Sequence, residues 1–399
     1  MRRYEETQPW INFSMNLSQA PATLWVILGE CNSLCRFIAG APLLPDNRDM
    51  LYDNFLVRSS IAITGLDSNL LKEEEVRHLL RGTLSLPPSQ KYIAQQNENM
   101  VRGFGRILDD LRAGAGEKLD IETIRDYNRY VLDRLVVPEN MNPGDIRTEE
   151  SPATGDQYRP APAEDCEFLL DNLCSWLNSN TFVSSPGMSV MFGIIRAAVA
   201  NLYLKWIRPF WDGNRRTSHL LEFRILVSAG LPVPAAMLMS IHHARTRREY
   251  FRKLEQVSVP DGKVHSFIAY TVLGLRDGLR SLIDSIREFQ EDALWDHLVY
   301  RTFGDRTSPA DLRRRQLALE ISRVSRPVPL QFLQKTLPAV AIAYAGKTYK
   351  TLTRDIAELI HAGLIEKIPE GLRAKKQVIK AFMPLTEQHE RIENDTEDL

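Results

Sequence analysis

Between Val190 and Trp206 the chain is apolar almost all the way round a helical wheel, interrupted chiefly by Arg196 and Asn201. A helix with one apolar stripe can lie on a surface, whereas one apolar on every side has to be enclosed by neighbours. The segment therefore predicts a central helix inside a mainly α bundle. It ends at IRPFWDGNRR, where Pro209 and Gly213 break the pattern, and a second helix is expected from about Arg216 to Ser228.

Other helical spacings support the same fold class. Ala22–Gly40 follows Pro21 and carries Leu24, Ile27 and Leu28 on one side. Glu73–Leu80 follows a cap candidate, Asn69, and 121–135 places Ile124, Tyr127, Val131 and Leu135 together. Pro, Gly, Asp and Thr crowd 137–162, which predicts a loop with at most a short hairpin, before helix returns over 164–177. Helices continue to about Leu298, and 301–309 reads as a linker. Beyond it come helices over 310–324, 330–337 and 347–362, then two extended runs around 369–376 within 364–383. Helix, helix, helix, hairpin is the order of a winged helix-turn-helix. The expected divisions are 1–110, a helical core over 111–290, a linker over 291–309, a winged helix over 310–385 and an acidic tail over 386–399.

With 399 residues, 44% hydrophobic and 25% charged, the chain can bury more than one core. Its net charge of -1 gives no global field toward nucleic acid, so such affinity has to come from a local patch. The opening MRRYEETQPW has no apolar stretch of signal-peptide length, and the run from Met188 to Leu204 is too interrupted to predict a bilayer crossing. A cytoplasmic protein without a membrane partner is expected. Cys31, Cys35, Cys166 and Cys174 read as reduced, partly buried thiols; Cys31 and Cys35 lack the second pair that would complete a tetrahedral metal set.

The loop 208–216 carries the most chemistry. The first amides of a helix have no intrahelical partner, and the helix dipole favours negative charge there, so Gly213, Asn214, Arg215 and Arg216 form a candidate phosphate site. Asp212 is a candidate ligand for a divalent metal bridging two phosphates, and Arg216 can clamp a phosphate with two nitrogens.

This segment resembles the Fic signature H-x-F-x-[DE]-G-N-G-R-x-x-R, with Phe210, Asp212, Gly213, Asn214 and Arg216 in register. The resemblance extends to LVRSSIAITGLDSNLLKEEEV at 56–76, which is similar to the family's inhibitory helix, and to YEETQPWINF, PLLP, NPGDIR and SIHHARTRREYFRKL, covering about residues 4–285. It implies a helical bundle that binds ATP with Mg²⁺ and transfers AMP to a protein hydroxyl. It also implies a β-hairpin flap near 145–159, with Ile146 and Tyr158 in its strands, and an unidentified protein target. Homo-oligomerisation is left open.

Three departures fall on the chemistry. Arg208 stands where the family's histidine acts as general base, and a guanidinium cannot take up a proton at physiological pH. Arg215 replaces the second glycine, with a conformational cost if the position requires a positive φ. His219 replaces the last arginine. In the inhibitory segment Asp67 takes the glutamate's place. The expected function is a nucleotide-binding Fic protein impaired in AMP transfer and acting as a regulator. The alternatives are an active nucleotidyl- or phosphotransferase with altered chemistry, and a DNA-binding regulator that uses the bundle as scaffold. Lys347, Lys350 and Arg354 share a helix face, and Lys375 and Lys376 sit with Arg373 and Lys380 in the presumed wing; together they are candidate phosphate contacts on duplex DNA. Leu352, Ile356, Leu359 and Ile360 are expected to face the core.

Overall fold

The structure, a computed structural model, describes residues 2–65, 71–83, 87, 90–114, 118–139, 141–150, 159–182, 185–260 and 262–380. It divides into two compact units, 1–284 and 285–399. The helices of eight or more residues in the first unit are α1 (Ala22–Gly40), α2 (Pro45–Thr64), α3 (Glu73–Leu80), α4 (Lys91–Arg112), α5 (Ile121–Leu132), α6 (Cys166–Leu177), α7 (Ser189–Ile207), α8 (Asn214–Ser228), α9 (Leu238–Arg245) and α10 (Arg247–Val257). α11 (Val264–Phe303) begins in this unit and ends in the second.

The apolar segment is α7, and it is the central helix. Ile194, Val199, Leu202, Tyr203, Leu204, Trp206 and Ile207 are fully buried, each such side chain contributing about 1.5–3 kcal/mol relative to exposure. It packs most extensively on α8, which also meets α4 and α5. The approach is close because Gly193 has no side chain: a Cβ there would lie 2.2 Å from Ala229 Cβ. α5 is started by Asp120, whose carboxylate accepts from the Thr123 amide at 2.8 Å.

Several expectations are corrected. The proposed boundary after residue 110 falls inside α4, and the proposed linker 291–309 is largely helix, since α11 runs to Phe303. The reason is burial: Trp295, Val299 and Phe303, spaced four apart, enter the core of the second unit. The helix expected over 121–135 stops at Leu132, and α8 begins at Asn214 rather than Arg216. Asn69 lies outside the described residues, and Lys72 is the N-cap of α3. α1 and α7 are both long and apolar enough to cross a bilayer, contrary to the sequence reading, although the apolar window of α7 is 89% buried within the protein. The cysteines are buried and free; burial pushes the Cys31 and Cys35 thiols up to about 12, which keeps them protonated.

The second unit has α12 (Pro309–Ser322), two short helices at Leu333–Thr336 and Pro338–Ala343 in place of one over 330–337, and then α13 (Tyr349–His361). An antiparallel hairpin follows, β1 (Ile365–Ile368) with β2 (Gly371–Ala374), in register Ile365↔Ala374. Val328 adds a bridge to Leu372. Ser308 caps α12, accepting from the Asp311 amide, with Pro309 in the first turn. Leu352, Ile356 and Leu359 are buried as expected, but Ile360 is exposed. Asp355 takes the further inward place, bound by Arg313 and Arg314 at 2.8 Å and by the Tyr344 hydroxyl at 3.1 Å.

Candidate functional site

The corner between α7 and α8 is built by hydrogen bonds from three directions. Arg208 is the C-cap of α7 and adopts the left-handed conformation, φ 46° and ψ 62°, which costs a non-glycine residue about 1–2 kcal/mol. Its carbonyl accepts from Arg147 Nε at 2.7 Å. The buried Arg147 guanidinium also donates to the carbonyls of Glu149, Ala161 and Ile207. Burial, together with the charge of Arg208, pushes the Arg147 pKa below its ordinary value. The Arg147 amide donates to the Pro209 carbonyl at 2.9 Å, and Ile146 forms an antiparallel bridge to Phe210. Of the expected flap, residues 145–150 and 159 are described; Tyr158 lies outside the described residues.

Within the loop, Phe210 is buried and anchors the turn. Asn214 closes it: its Oδ1 accepts from the Phe210 amide at 2.9 Å and its Nδ2 donates to the Phe210 carbonyl at 2.6 Å. With both side-chain ends so used, the backbone amide is what Asn214 can offer a ligand. Gly213 is the N-cap of α8 at φ 77°, with no side chain capping the helix. A Cβ at Gly213 would meet Val131 Cγ2 at 2.9 Å and Asn128 Nδ2 at 3.0 Å, so both the conformation and the space require glycine. Asn128 fastens the loop to α5, donating to the Asp212 carbonyl at 2.9 Å and accepting from the Gly144 amide at 2.9 Å.

Asp212 and Arg216, expected on metal and phosphate respectively, are brought together. Arg216 Nη2 lies 3.2 Å from each Asp212 carboxylate oxygen, and Arg216 Nη1 donates to the Val131 carbonyl at 3.1 Å. Arg215 lies in the first turn of α8 with no positive φ, so the anticipated strain falls on Arg208 instead. A cavity of about 390 Å³ adjoins the loop at Phe210, Trp211 and Asp212 and extends along Asn128, Ile146 and Arg147.

His219 is a packed side chain, not a surface base. It is buried beside Glu222 and His243, and burial, with Lys205 and Arg215 nearby, holds its pKa well below the ordinary histidine value. Asp67 lies outside the described residues. Lys347, Lys350, Arg354 and Lys375 are exposed in the second unit, while Lys376 donates to Asp292 at 2.6 Å. Sequence reasoning singled out neither Asn128 nor Arg147 as a site residue. Asn128 is a polar residue inside the apolar spacing of α5, and Arg147 ends the NPGDIR segment.

Comparison with known proteins agrees with the architecture. Residues 118–226 match the model of the Fic/DOC family. Over 210 residues the chain is 27% identical to Protein adenylyltransferase Fic of Aedes aegypti, covering 52% of this chain and 37% of that one. Over 241 residues it is 25% identical to Protein adenylyltransferase fic-1 of Caenorhabditis elegans, covering 60% and 42% respectively. It thus spans less than half the length of these relatives. Among solved structures, a Fic family protein from Desulfovibrio desulfuricans superposes with a TM-score of 0.54 at 16% identity, over 90% of this chain and 98% of that one. A Fic domain containing signaling protein from Bacteroides thetaiotaomicron superposes with a TM-score of 0.52 at 20% identity, over 67% and 97%. These two likenesses concern the fold alone. The segment similar to the Fic/DOC family, residues 118–226, contains the α7–α8 corner.

Proposed function

We propose that the chain binds ATP with Mg²⁺ at the start of α8 and is impaired in AMP transfer, so that it acts as a regulator. The observation that carries this reading is the N-terminus of α8. Gly213 opens the helix without a side-chain cap, leaving the amides of Asn214, Arg215 and Arg216 as donors beside two guanidiniums. The residues fit the nucleotide and its ion: Asp212 is a half-exposed carboxylate at the edge of the cavity, of the oxygen type that Mg²⁺ prefers. The cation would neutralise phosphate charge there. Arg216, freed from Asp212, would hold a phosphate oxygen, and Phe210 and Asn214 keep the turn in shape. Arg208 cannot receive the proton of an attacking hydroxyl, a loss of about 10²–10⁴-fold in rate for a missing general base. The relatives named protein adenylyltransferases support the reaction class. Isothermal titration with ATP and Mg²⁺, paired with a labelled-ATP transfer assay, tests the reading. Binding without label transfer is expected; rapid transfer by the unaltered chain overturns it.

A second reading is favoured by the second unit, as a winged-helix module for duplex DNA. Lys347, Lys350 and Arg354 are exposed at and within α13, and among the described residues none of them is in an ion pair. Salt-dependent retardation of duplex DNA by the full chain is the expected result.

A further inference from the structure

Behind the α7–α8 corner lies a group of polar side chains that the nucleotide reading does not use. We infer that His219, Glu222 and His243 form a binding site for one transition-metal dication of the zinc class, enclosed between α8 and α9. All three residues are buried, and one donor atom from each lies within 4.8 Å of the other two. His219 Nδ1 stands 3.3 Å from Glu222 Oε1. Two ligands about 2.1 Å from a tetrahedral ion are separated by about 3.4 Å, so this pair already has the spacing of a shared ion. His243 has to close the remaining gap by side-chain rotation.

The competing account is a self-sufficient hydrogen-bonded trio. It leaves three atoms unexplained. His219 Nε2, Glu222 Oε2 and His243 Nδ1 are each buried without a hydrogen-bond partner among the described residues. Buried polar atoms are normally satisfied; an ion seated beside His219 Nδ1 and Glu222 supplies a partner for His243 Nδ1 and is within reach of the Glu222 carboxylate, while His219 Nε2 stays unpaired. Imidazole nitrogen and carboxylate oxygen are donors that zinc-class ions take together. The second ring nitrogen of His243 is 3.3 Å from Thr271 Oγ1, an outer contact of the kind that orients a ligating imidazole.

The other groups packed around the cluster come from α7, α8, α10 and α11. Asn201 Nδ2 lies 3.3 Å from His219 Nδ1. Lys205 donates to Asn201 Oδ1, its Nζ is 5.3 Å from the Tyr250 ring, and its charge reaches all three proposed ligands. Arg215 adds a second positive charge near His219. Lys205 is therefore the internal competitor of the ion: its positive charge acts on the Glu222 carboxylate, and loading the site expels protons. Because the site is enclosed, the ion enters while the chain folds and joins α8 to α9 independently of any ligand at the loop.

The test is the metal content of full-length protein produced and purified in zinc-supplemented medium, read by mass spectrometry. It is accompanied by visible absorption after refolding with Co²⁺. About one equivalent of metal and a tetrahedral cobalt spectrum are expected. His243→Gln should abolish both with an unchanged far-ultraviolet spectrum. Lys205→Met, which removes the competing charge, should raise occupancy in metal-poor medium several-fold, and it keeps the inference testable should His243→Gln fail to fold. Only trace metal and no cobalt band, in both the unaltered chain and Lys205→Met, overturns the inference.

Discussion

Asp212 and Arg216 hold each other: one guanidinium nitrogen sits 3.2 Å from both carboxylate oxygens, four residues away across the first turn of α8. The residue suited to a cation and the residue suited to a phosphate thus neutralise one another. Arg216 is buried and Asp212 half-exposed, so a divalent cation can reach the pair from the carboxylate side. Asp212→Asn should leave ATP binding without Mg²⁺ unchanged or strengthen it by about two- to fivefold, while removing the gain that Mg²⁺ gives. Calorimetric titration with and without Mg²⁺ decides this; an intact Mg²⁺ gain in the variant would separate Asp212 from the ion.

Arg208→His combined with Arg215→Gly restores two signature positions at once. The double variant should transfer label from ATP faster than the unaltered chain by about 10²–10⁴-fold, the usual contribution of a general base. Both changes leave Asn214 and Asn128, which fasten the loop, in place, so the turn should survive them. No rise in label incorporation, with ATP affinity retained, would show that more than the base is missing.

In the second unit, Asp355 is bound by Arg313, Arg314 and Tyr344 inside the core. Burial alone would raise its pKa, but the hydrogen bonds from the two arginines and the tyrosine outweigh it and hold the pKa below the ordinary carboxylate value. The stabilisation is therefore complete above the ordinary value of about 3.9 and is lost as pH falls through the depressed one. Asp355→Asn leaves two guanidiniums without their carboxylate and should destabilise this unit by about 3–5 kcal/mol. Hydrogen exchange in the full chain at neutral pH reads this directly, with protection of α12 and α13 falling while that of α7 is unchanged.

Lys350→Ala and Arg354→Ala should each weaken retention of duplex DNA, whatever its sequence. Each lost phosphate contact should reduce the slope of log affinity against log salt by about one. Gel retardation across a salt series distinguishes this from loss of base recognition, which would change sequence preference and leave the slope alone.

How far the sequence could be read depended on whether burial followed hydropathy. α7 was legible because apolar residues on all sides admit one environment, and the loop was legible because Pro209, Gly213 and the Asp-Gly-Asn run permit little else. Where polar residues go inside, the pattern misled. Asp355 is buried and Ile360 is exposed, a reversal that only the pairing of Asp355 with Arg313 and Arg314 explains. His219, Glu222 and His243 come from two helices, and nothing in their spacing announces that they meet. α11 passed for a linker near 301 because its charged positions hid Trp295, Val299 and Phe303. Asp67 falls outside the described residues, so the inhibitory segment stays an expectation.

Arg147 holds the carbonyls of Ala161, Ile207 and Arg208 with a single guanidinium. Because this one clasp ties stretches about sixty positions apart, the turn cannot take shape until a long intervening length of chain has found its place. A short peptide spanning only the two helices and their junction would lose the corner, and the geometry is therefore not portable to another scaffold without its distant fastener.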